Sequence, residues 1–554
     1  MSASIPRMMR SIKDRPAFIA LVLASVLIVT LCFAFEPRWE TNDDVAMSMI
    51  AHGYGFAAYG SPNIVNSNVL WGYLVRAIPT VNGVLGYSLA TLTVLLVAGW
   101  ATLYFLLRLG AGYLLGSLAV VLFIVRPILF PQFTINAGLL TVAAIIGWQV
   151  YARWGGVGSL VAACLLAFFG YLVRDIEFLF MLGVALPLLP WRALRERRQM
   201  QVAVLLLGVA IASVSVFDRW PYNGSEWQYF KDERVPLRRL VDFSGGLHLK
   251  QHPEILARHG YSQNDIDLLA NFFFADPQID DPKSLNVMLA ELGPAPLQDG
   301  SVQSGFASLK VLAGPVLLPL ILPALLLLVL IPKRSVALTW IFCLAALFAT
   351  GFMGRSSQLR IYLPLMGLLL IAPLMVGKCK EGIRQWLAAL TLLIACAGNA
   401  YVLMPQTLAS TQWIHQIQKD IRGLPAELIT IWGEDFPREH AFPVLANNPN
   451  TRDIKLYGFT SYVHAPFSIS AAEEKAGRGF VRRLQTEEGV PIIAQQRKLG
   501  LLDTYCKEHL NGQLHRAAMY QTPSLQVWRV RCEVANMPHP STAPQTRFIR
   551  TAPG

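Results

Sequence analysis

Residues 17–35 read AFIALVLASVLIVTLCFAF, an apolar run without a charged side chain. A helix that crosses the hydrocarbon layer needs about 20 such residues, because lipid offers the backbone no hydrogen-bond partner. The run follows four basic residues, Arg7, Arg10, Lys13 and Arg15. A cleaved signal peptide begins in the same way, but the end of this run, CFAF at 32–35, lacks the small residues of a cleavage site. The run therefore predicts an uncleaved signal anchor.

The composition of the whole chain agrees with a membrane protein. Of its 554 residues, 54% are hydrophobic and 15% are charged, and the mean hydropathy is +0.43. Soluble domains carry about 25% charged residues, so a long chain this apolar is not a series of soluble domains. The apolar content also excludes disorder, and the lack of a short period excludes a fibre. The net charge of +12 keeps nucleic acid open as a partner until the charges are placed.

Ten further apolar runs predict membrane spans at 83–107, 112–130, 134–151, 158–173, 178–191, 202–217, 311–331, 335–353, 361–377 and 386–404. With the N-terminus inside, the Lys and Arg clusters between the spans all lie on the cytoplasmic side, as the positive-inside rule requires. These clusters are Arg108, Arg153, Arg192 with Arg195, Arg197 and Arg198, Lys333 with Arg334, and Lys378 with Lys380 and Arg384. The sequence thus predicts an α-helical polytopic membrane protein with about eleven spans, N-in and C-out. Because much of the positive charge orients the chain, nucleic acid is not expected as a partner.

Three long segments remain on the outer side, namely 36–82, 218–310 and the stretch after 404. We divide the chain into a transmembrane module at 1–404, a small α/β domain at 405–535 and a flexible tail at 536–554. The α/β domain is predicted from strands at 428–432, 491–494 and 525–530, with a helix at 497–510. The Glu434-Asp435 pair after the first strand is interpreted as a solvated turn.

The outer segments contain two cysteines and a group of histidines. Cys506 and Cys532 are expected in an oxidising compartment, where they could pair, although spacing alone leaves that pairing open. His248, His252 and His259 include one i, i+4 pair, but they offer too few ligands at convincing spacing for a metal site. We therefore predict no metal site.

The first outer loop begins with EPRWETNDD at 36–44, and VAMSMIAHGYG at 45–55 predicts a short amphipathic helix ended by glycine. Asp43 and Asp44 thus lie near the headgroup level of the outer leaflet. A carboxyl group partly shielded from water there can have its pKa raised toward the working pH, which suits a general base acting on a sugar hydroxyl. Alternatively, Asn42, Asp43 or Asp44 caps the helix. The residues alone leave both interpretations open.

An acidic pair in the first outer loop, a helix behind it, about a dozen spans and a C-terminal outer domain resemble the GT-C superfamily of membrane glycosyltransferases. The stretch PQFTINA at 131–137 is similar to the start of a span in bacterial surface-polysaccharide proteins of this type. The resemblance implies a sugar linked to a polyprenyl phosphate as donor and a glycan, lipid or protein as acceptor. It also implies the bacterial inner membrane, with the active site facing the periplasm. In agreement, the cytoplasmic segments contain no Gly-rich loop for a soluble nucleotide.

The resemblance also implies roles for individual residues. In that superfamily the first-loop aspartate is the catalytic base, a role that passes here to Asp44 or Asp43, with Asp44 preferred as nearer the helix start. Guanidinium groups match phosphate oxygens, and the arginines on the outer side against the positive-inside bias are Arg126, Arg174, Arg355 and Arg360. Alternatively, Arg174 pairs with Asp175 or Glu177, and the other three extend to lipid headgroups.

Three more polar residues, Glu40, His52 and Glu177, are candidates for substrate contact. The resemblance fixes no cofactor, although some members of the superfamily use a divalent cation near the acidic pair. Two alternatives to the transferase remain. One is an O-antigen-type polymerase or ligase, for which 218–310 would be the working loop. The other is a lipid-linked sugar flippase, which the charge-poor middles of the spans and the lack of an internal repeat disfavour.

Overall fold

A computed structural model of the chain describes residues 16–243, 245–293, 301–355, 358–377, 382–446 and 453–534. The basic residues before the first span, the inner-loop residues Lys378 and Lys380, and the predicted tail at 536–554 lie outside these ranges. Within them the chain is mostly helical, with one small sheet near its C-terminal end. This agrees with the predicted fold class of a polytopic α-helical protein that carries a small α/β domain.

Within the described ranges, seven helices are long and apolar enough to cross a membrane. They are Pro16–Ala34, Gly86–Leu109, Phe133–Trp154, Arg198–Tyr222, Arg334–Phe352, Leu359–Val376 and Ile383–Ile421. Each of them overlaps one of the runs predicted from the sequence. The hydrophobic runs thus mark these helices, although the last helix, predicted to end at 404, continues to Ile421.

Three more predicted spans form shorter or bent helices. Tyr113–Leu129 and Val157–Val173 are apolar but have only 17 residues each. The run predicted at 311–331 corresponds to two helical segments, Val302–Ala313 and Leu318–Leu330, which meet at an angle of 90°. A bent pair of this kind is either a broken span or a re-entrant segment.

The run predicted at 178–191 differs most from its expectation. It contributes to a helix of ten residues, Asp175–Val184, which at 1.5 Å per residue rises about 15 Å, half the thickness of the hydrocarbon layer. Pro187 and Pro190 follow it, and proline cannot continue a helix because it lacks a backbone N–H. The count of eleven spans and the N-in, C-out topology therefore remain predictions.

The helix Phe133–Trp154 lies at the centre of the bundle, with 94% of its apolar window buried. Small residues let its neighbours approach closely. A Cβ on Gly138 would lie 2.5 Å from Cβ of Pro364, and one on Gly147 would lie 2.8 Å from the ring of Phe105. Glycine at these contacts allows the backbones of adjacent helices to pack closely, as is common between helices in membranes.

The helix expected after the acidic pair spans Asn42–His52 and ends at Gly53, whose φ of +74° favours glycine. We expected an amphipathic helix with one exposed face, but every residue from Asp44 to Ala51 is buried, so neither face is open to solvent. A second short helix, Val69–Ala77, follows in the same loop. The first of these two helices is thus covered by other parts of the protein.

The C-terminal domain contains five strands in the order β2-β1-β3-β5-β4. They are β1 (Ile429–Trp432), β2 (Leu456–Phe459), β3 (Val490–Ile493), β4 (Gly512–Gln521) and β5 (Gln526–Val534). β1 is parallel to β2 and β3, whereas β5 is antiparallel to β3 and β4. The three predicted strands correspond to β1, β3 and β5. The sequence analysis missed β2, which has four residues, and β4, which is mostly exposed.

A disulfide joins Cys506 to Cys532, whose Cα atoms are 5.9 Å apart. It connects the helix Gln496–Leu510 to β5.

The predicted boundary between the transmembrane module and the α/β domain lies between residues 404 and 405. In the structure the last long helix continues without a break through Pro405 to Ile421. This helix therefore runs directly from the transmembrane module toward the C-terminal domain.

The outer segment 218–310 packs against the C-terminal sheet. Its Phe273 contacts the rings of Trp432, Phe459 and Tyr505, with ring centroids 5.1 to 5.7 Å apart. Its helices include Gln228–Leu237, Gly245–Lys250, Pro253–His259, Gln263–Ala270, Pro277–Asp280 and Pro282–Ala290. Those of the C-terminal domain include Arg438–Ala441, Ile469–Lys475 and Phe480–Leu484. The two outer segments share one hydrophobic core.

Candidate active site around Asp43

Asp44 joins the first outer loop to the ends of two long helices. Its Oδ1 accepts hydrogen bonds from the Tyr87 hydroxyl at 3.1 Å and from the backbone N–H of Phe133 at 3.0 Å. Thr41 donates to Oδ2 at 3.4 Å, and the side chain is completely buried. Burial, together with the adjacent Asp43 carboxylate, raises the pKa of Asp44 well above its usual value. Asp44 therefore holds the loop in place and is shielded from solvent.

Asp43 has the opposite environment. Its side chain is 38% exposed, and its Oδ2 accepts a hydrogen bond from Nη1 of Arg360 at 2.9 Å. The carboxylate also lines a cleft that opens to solvent. The sequence analysis preferred Asp44 as the base because of its position in the helix. Of the two carboxylates, only that of Asp43 is open to solvent in the structure.

A second arginine lies beside this ion pair. Arg174 is within electrostatic range of Arg360 and Asp43, and its Nη1 donates to the backbone carbonyl of Asn66 at 2.6 Å. Its guanidinium stacks over the ring of Phe133 at 5.4 Å. Two guanidinium groups within electrostatic range repel each other, and an anion near both of them relieves that repulsion. We refer to Arg174 and Arg360 as the arginine pair.

Glu177 accompanies the arginine pair from the start of the helix Asp175–Val184. It is 4% exposed and lies within electrostatic range of both arginines. Its Oε1 is buried and has no hydrogen-bond partner among the described residues. Glu177 therefore lies buried near the arginine pair, and its contact with a substrate stays a prediction.

Arg126, predicted as a phosphate ligand, is already neutralised. Its Nη2 lies 3.0 Å from Oε1 of Glu40, and both side chains are largely buried, at 8% and 12% exposure. Nη1 donates to Gln406 at 3.3 Å, and the guanidinium lies over the ring of Phe130. Glu40 was a candidate for substrate contact, but the same pair occupies its carboxylate. These two residues connect the first loop to the helices Tyr113–Leu129 and Ile383–Ile421.

Arg355 and His52 also have structural partners. Nη2 of Arg355 donates to Asp242 at 2.6 Å, and its guanidinium lies over the ring of Phe243. It is not brought to the arginine pair by any contact among the described residues. Nε2 of His52 accepts the backbone N–H of Tyr87 at 3.1 Å, at the start of a long helix. His52 therefore supports the helix end rather than facing the cleft.

The cleft beside Asp43, which we call the outer cleft, has a volume of about 110 Å³. Its lining comes from the first loop, the segment 218–310 and the C-terminal domain, and consists of Asn42, Asp43, Ala46, Phe272, Gly433, Glu434, Arg438, Thr460, Ser461 and Tyr462. Sequence analysis missed Phe272, Arg438 and Tyr462, since an arginine or aromatic residue in a soluble outer segment carries no signal of its own. The outer cleft thus assembles three segments that are distant in sequence.

The turn after β1 was interpreted as solvated, and this holds for Glu434 alone. Asp435 is 5% exposed at its side chain and pairs with Nζ of Lys498 at 2.9 Å. The same Nζ donates to the carbonyl of Trp432 at 2.8 Å. This anchoring fixes the turn, so that exposed Glu434 stands at the edge of the outer cleft.

Backbone strain occurs in the first outer loop, next to a residue that contacts the site. Val65 has a φ of +66°, which is strongly disfavoured for a β-branched residue. The next residue, Asn66, accepts from Arg174 through its backbone carbonyl and donates through Nδ2 to the Tyr462 hydroxyl at 2.8 Å. Strain of this kind is often stored at functional sites. Here it places Asn66 between the arginine pair and the outer cleft.

His464 lies between two buried carboxylates of the segment 218–310. Its Nδ1 is 2.9 Å from Oε2 of Glu233, and its Nε2 is 3.9 Å from Oδ2 of Asp280. The ring of Tyr229 packs edge-on against the imidazole, and its hydroxyl donates to Asp280. Burial lowers the pKa of His464, but the surrounding carboxylates, which include Glu474, outweigh it and raise the pKa above its usual value. The imidazolium form therefore ties this segment to the C-terminal domain.

We expect this attachment to weaken as the pH rises. A group whose pKa is raised by folding contributes stability that is complete below its ordinary value, 6.5 for His464, and is lost as the pH passes the raised value. Limited proteolysis at about pH 6 and about pH 9 should cut the segment 218–310 faster at the higher pH. His464→Gln should remove this difference between the two rates. Equal rates in the native protein would contradict the expectation.

The described residues include one group with the spacing of metal ligands, formed by Asp265, Glu508 and His509. Asp265 is already engaged, since it caps the helix Gln263–Ala270 and accepts from His509 at 2.7 Å. Of the predicted histidines, His252 pairs with Glu254, and His259 pairs with Glu291. These pairings give no support to a metal site.

No known family model matches the chain, and no curated protein matches its sequence. Among solved structures, the chain is similar to ArnT from Cupriavidus metallidurans bound to undecaprenyl phosphate. The identity is 12%, the match covers 92% of this chain and 96% of that chain, and the TM-score is 0.38. The same ArnT in the apo state matches at 11% identity over 91% and 97% of the two chains, also with a TM-score of 0.38. The chain is thus similar to ArnT over most of its length.

Proposed function

We propose that the protein is a membrane glycosyltransferase that moves a sugar from a polyprenyl-phosphate-linked donor to an acceptor on the outer face of the bacterial inner membrane. The observation that carries this proposal is the partly exposed carboxylate of Asp43, which pairs with Arg360 and lies within electrostatic range of Arg174. The proposed reaction requires a carboxylate and cationic groups near each other. The carboxylate takes a proton, and the guanidinium groups bind a phosphate.

The reaction uses these groups in one step. Asp43 takes the proton from an acceptor hydroxyl as its oxygen forms a bond to C1 of the donor sugar. The bond between C1 and the phosphate oxygen breaks, and its electron pair leaves with the polyprenyl phosphate. The arginine pair stabilises the negative charge of this leaving group. A donor phosphate that binds Arg360 also draws it away from Asp43, so that donor binding makes the carboxylate available as a base.

Arg360→Ala should weaken the binding of undecaprenyl phosphate to the purified protein in nanodiscs. A lost charge-assisted hydrogen bond is worth about 1.5–3 kcal/mol, which corresponds to about 10- to 100-fold in Kd. Arg355→Ala is the matched control, because Arg355 lies in the connection just before the helix that carries Arg360 but pairs with Asp242. We expect native binding for this variant. Native binding by Arg360→Ala, or equal losses in both variants, would refute the assignment of the arginine pair.

An O-antigen-type polymerase or ligase is the second candidate, because the segment 218–310 contributes Phe272 to the outer cleft. The two functions leave different products in a host that lacks the protein. Loss of a polymerase shortens surface chains to a single repeat, whereas loss of the proposed transferase removes one sugar and leaves the chain length unchanged. Mass spectrometry of the surface glycans distinguishes the two outcomes.

A further inference from the structure

The outer cleft lies at the carboxyl ends of two adjacent parallel strands. Gly433 and Glu434 directly follow β1, and the segment 460–462 directly follows β2. β1 and β2 pair in parallel along their whole length. In open α/β sheets, ligands bind outside the carboxyl ends of the parallel strands, because the loops that follow them converge there. The edge of the sheet at which ligands usually bind therefore lies beside Asp43.

Two residues of the cleft lining each carry a buried polar atom that lacks a partner among the described residues. Arg438 is only 5% exposed, and its Nε has no hydrogen-bond acceptor, although Nη2 donates to the carbonyl of Gly433 at 3.1 Å. Oδ1 of Asn42 is buried and has no donor within the same described part of the chain. Buried donors and acceptors are nearly always satisfied in native proteins. A ligand that offers an acceptor to Nε of Arg438 and a donor to Oδ1 of Asn42 would satisfy both groups.

The remaining lining indicates the chemical class of that ligand. Phe272 supplies an apolar ring, whereas Thr460, Ser461 and Tyr462 supply hydroxyl groups. Phe272 keeps a φ of +67°, a backbone conformation disfavoured for a bulky residue, and its ring packs beside Gly433. An apolar wall combined with a few directed polar groups is typical of small-molecule sites. A sugar ring, with a C–H face and hydroxyl groups that donate and accept, matches this lining.

The charge and the volume of the outer cleft further restrict the class of ligand that it can bind. The carboxylates of Asp43 and Glu434 face the cleft together with one guanidinium, that of Arg438, so an anionic ligand is disfavoured. The volume of about 110 Å³ is below the roughly 300–1,000 Å³ of sites that enclose drug-sized molecules. The cleft thus suits one sugar unit. Exposed Glu434 lies at its open side, where the rest of a glycan chain can extend into solvent.

We propose that the outer cleft binds the acceptor, and that the acceptor is the uncharged terminal sugar of a glycan. Arg438 and Asn42 hold its ring hydroxyls, Phe272 packs against its C–H face, and the hydroxyl that reacts lies against Asp43. This inference rests on the proposed function, because it uses the same base. The donor phosphate binds on the other side of Asp43, at the arginine pair.

Ser461→Trp tests this inference by filling the cleft, and Thr486→Trp, at an exposed residue of the same domain, is its matched control. The probes are undecaprenyl phosphate and the surface glycan isolated from a host that lacks the protein. Binding of the glycan to protein in nanodiscs is followed by saturation-transfer NMR. We expect Ser461→Trp to bind the glycan at least about tenfold more weakly and undecaprenyl phosphate as the native protein does. Thr486→Trp should bind both as the native protein does.

Two results would overturn the acceptor assignment. Unchanged glycan binding by Ser461→Trp would place the acceptor elsewhere, and lost undecaprenyl phosphate binding would make the cleft part of the donor site. If Ser461→Trp does not fold, Ser461→Cys modified with a bulky maleimide after purification blocks the cleft in folded protein, with native protein treated alike as control. A native protein that binds the glycan but not undecaprenyl phosphate would refute the proposed donor and leave the cleft assignment standing.

Discussion

Asp43→Asn is expected to lower sugar transfer by about 10²- to 10⁴-fold, the usual contribution of a general base. The amide keeps the size of the side chain but cannot take a proton from the acceptor. The variant should reach the membrane in native amounts, because Asp43 is half exposed and pairs with one residue, Arg360. The measurement is the amount of the transferred sugar in the host glycans, at matched protein levels.

Asp44→Asn is the matched control. The amide keeps the size of the side chain, and its oxygen can still accept the hydrogen bonds from Tyr87 and Phe133. We expect nearly native transfer from this variant. Asp44→Ala instead leaves two buried donors unsatisfied, at a cost of about 1–3 kcal/mol each. Native transfer in Asp43→Asn together with lost transfer in Asp44→Asn would return the role of base to Asp44.

Arg126→Met is expected to destabilise the protein by about 3–5 kcal/mol, because it leaves the carboxylate of Glu40 buried without its partner. The double variant Arg126→Met/Glu40→Leu should recover most of this loss, since it removes both charges. The thermal midpoint of the purified protein in nanodiscs reports both effects. An unchanged midpoint in Arg126→Met, combined with lost undecaprenyl phosphate binding, would instead make Arg126 the phosphate ligand expected from the sequence.

The long helices were predictable because hydrophobic runs and flanking charges are local signals. Pro16–Ala34 and Leu359–Val376 both lie within a residue or two of their predicted ends. The run at 178–191 was overestimated, because its prolines restrict the helix to Asp175–Val184. The burial of Asn42–His52 could not be predicted, since what covers this helix lies far away in the sequence.

The site was predictable in part. The position of the acidic pair and the unusual location of Arg174 and Arg360 were visible in the sequence, and the structure pairs Asp43 with Arg360 within electrostatic range of Arg174. The partner of Arg126 was not visible, because Glu40 is 86 residues away. The choice between Asp43 and Asp44 also depends on three-dimensional burial, for which an adjacent pair in sequence gives no signal.

The contribution of the C-terminal domain could not be predicted for the same reason. Arg438 and Tyr462 are ordinary residues of a soluble domain until the sheet places them beside the first outer loop. Asn66 lies in the predicted outer loop, but its contacts with Arg174 and Tyr462 join segments that are more than 100 residues apart. These contacts come from tertiary packing and have no local pattern in the sequence.

The claim that the protein transfers sugar from a polyprenyl phosphate is tested most directly on the donor itself. Lipid extracted from a host that lacks the protein should contain the unused polyprenyl-phosphate sugar, together with the incomplete glycan. Purified native protein added to both should release polyprenyl phosphate and add one sugar to the glycan, as followed by mass spectrometry, whereas Asp43→Asn should do neither. Native protein that releases no polyprenyl phosphate from this lipid, or an Asp43→Asn variant that releases it at the native rate, would contradict the account.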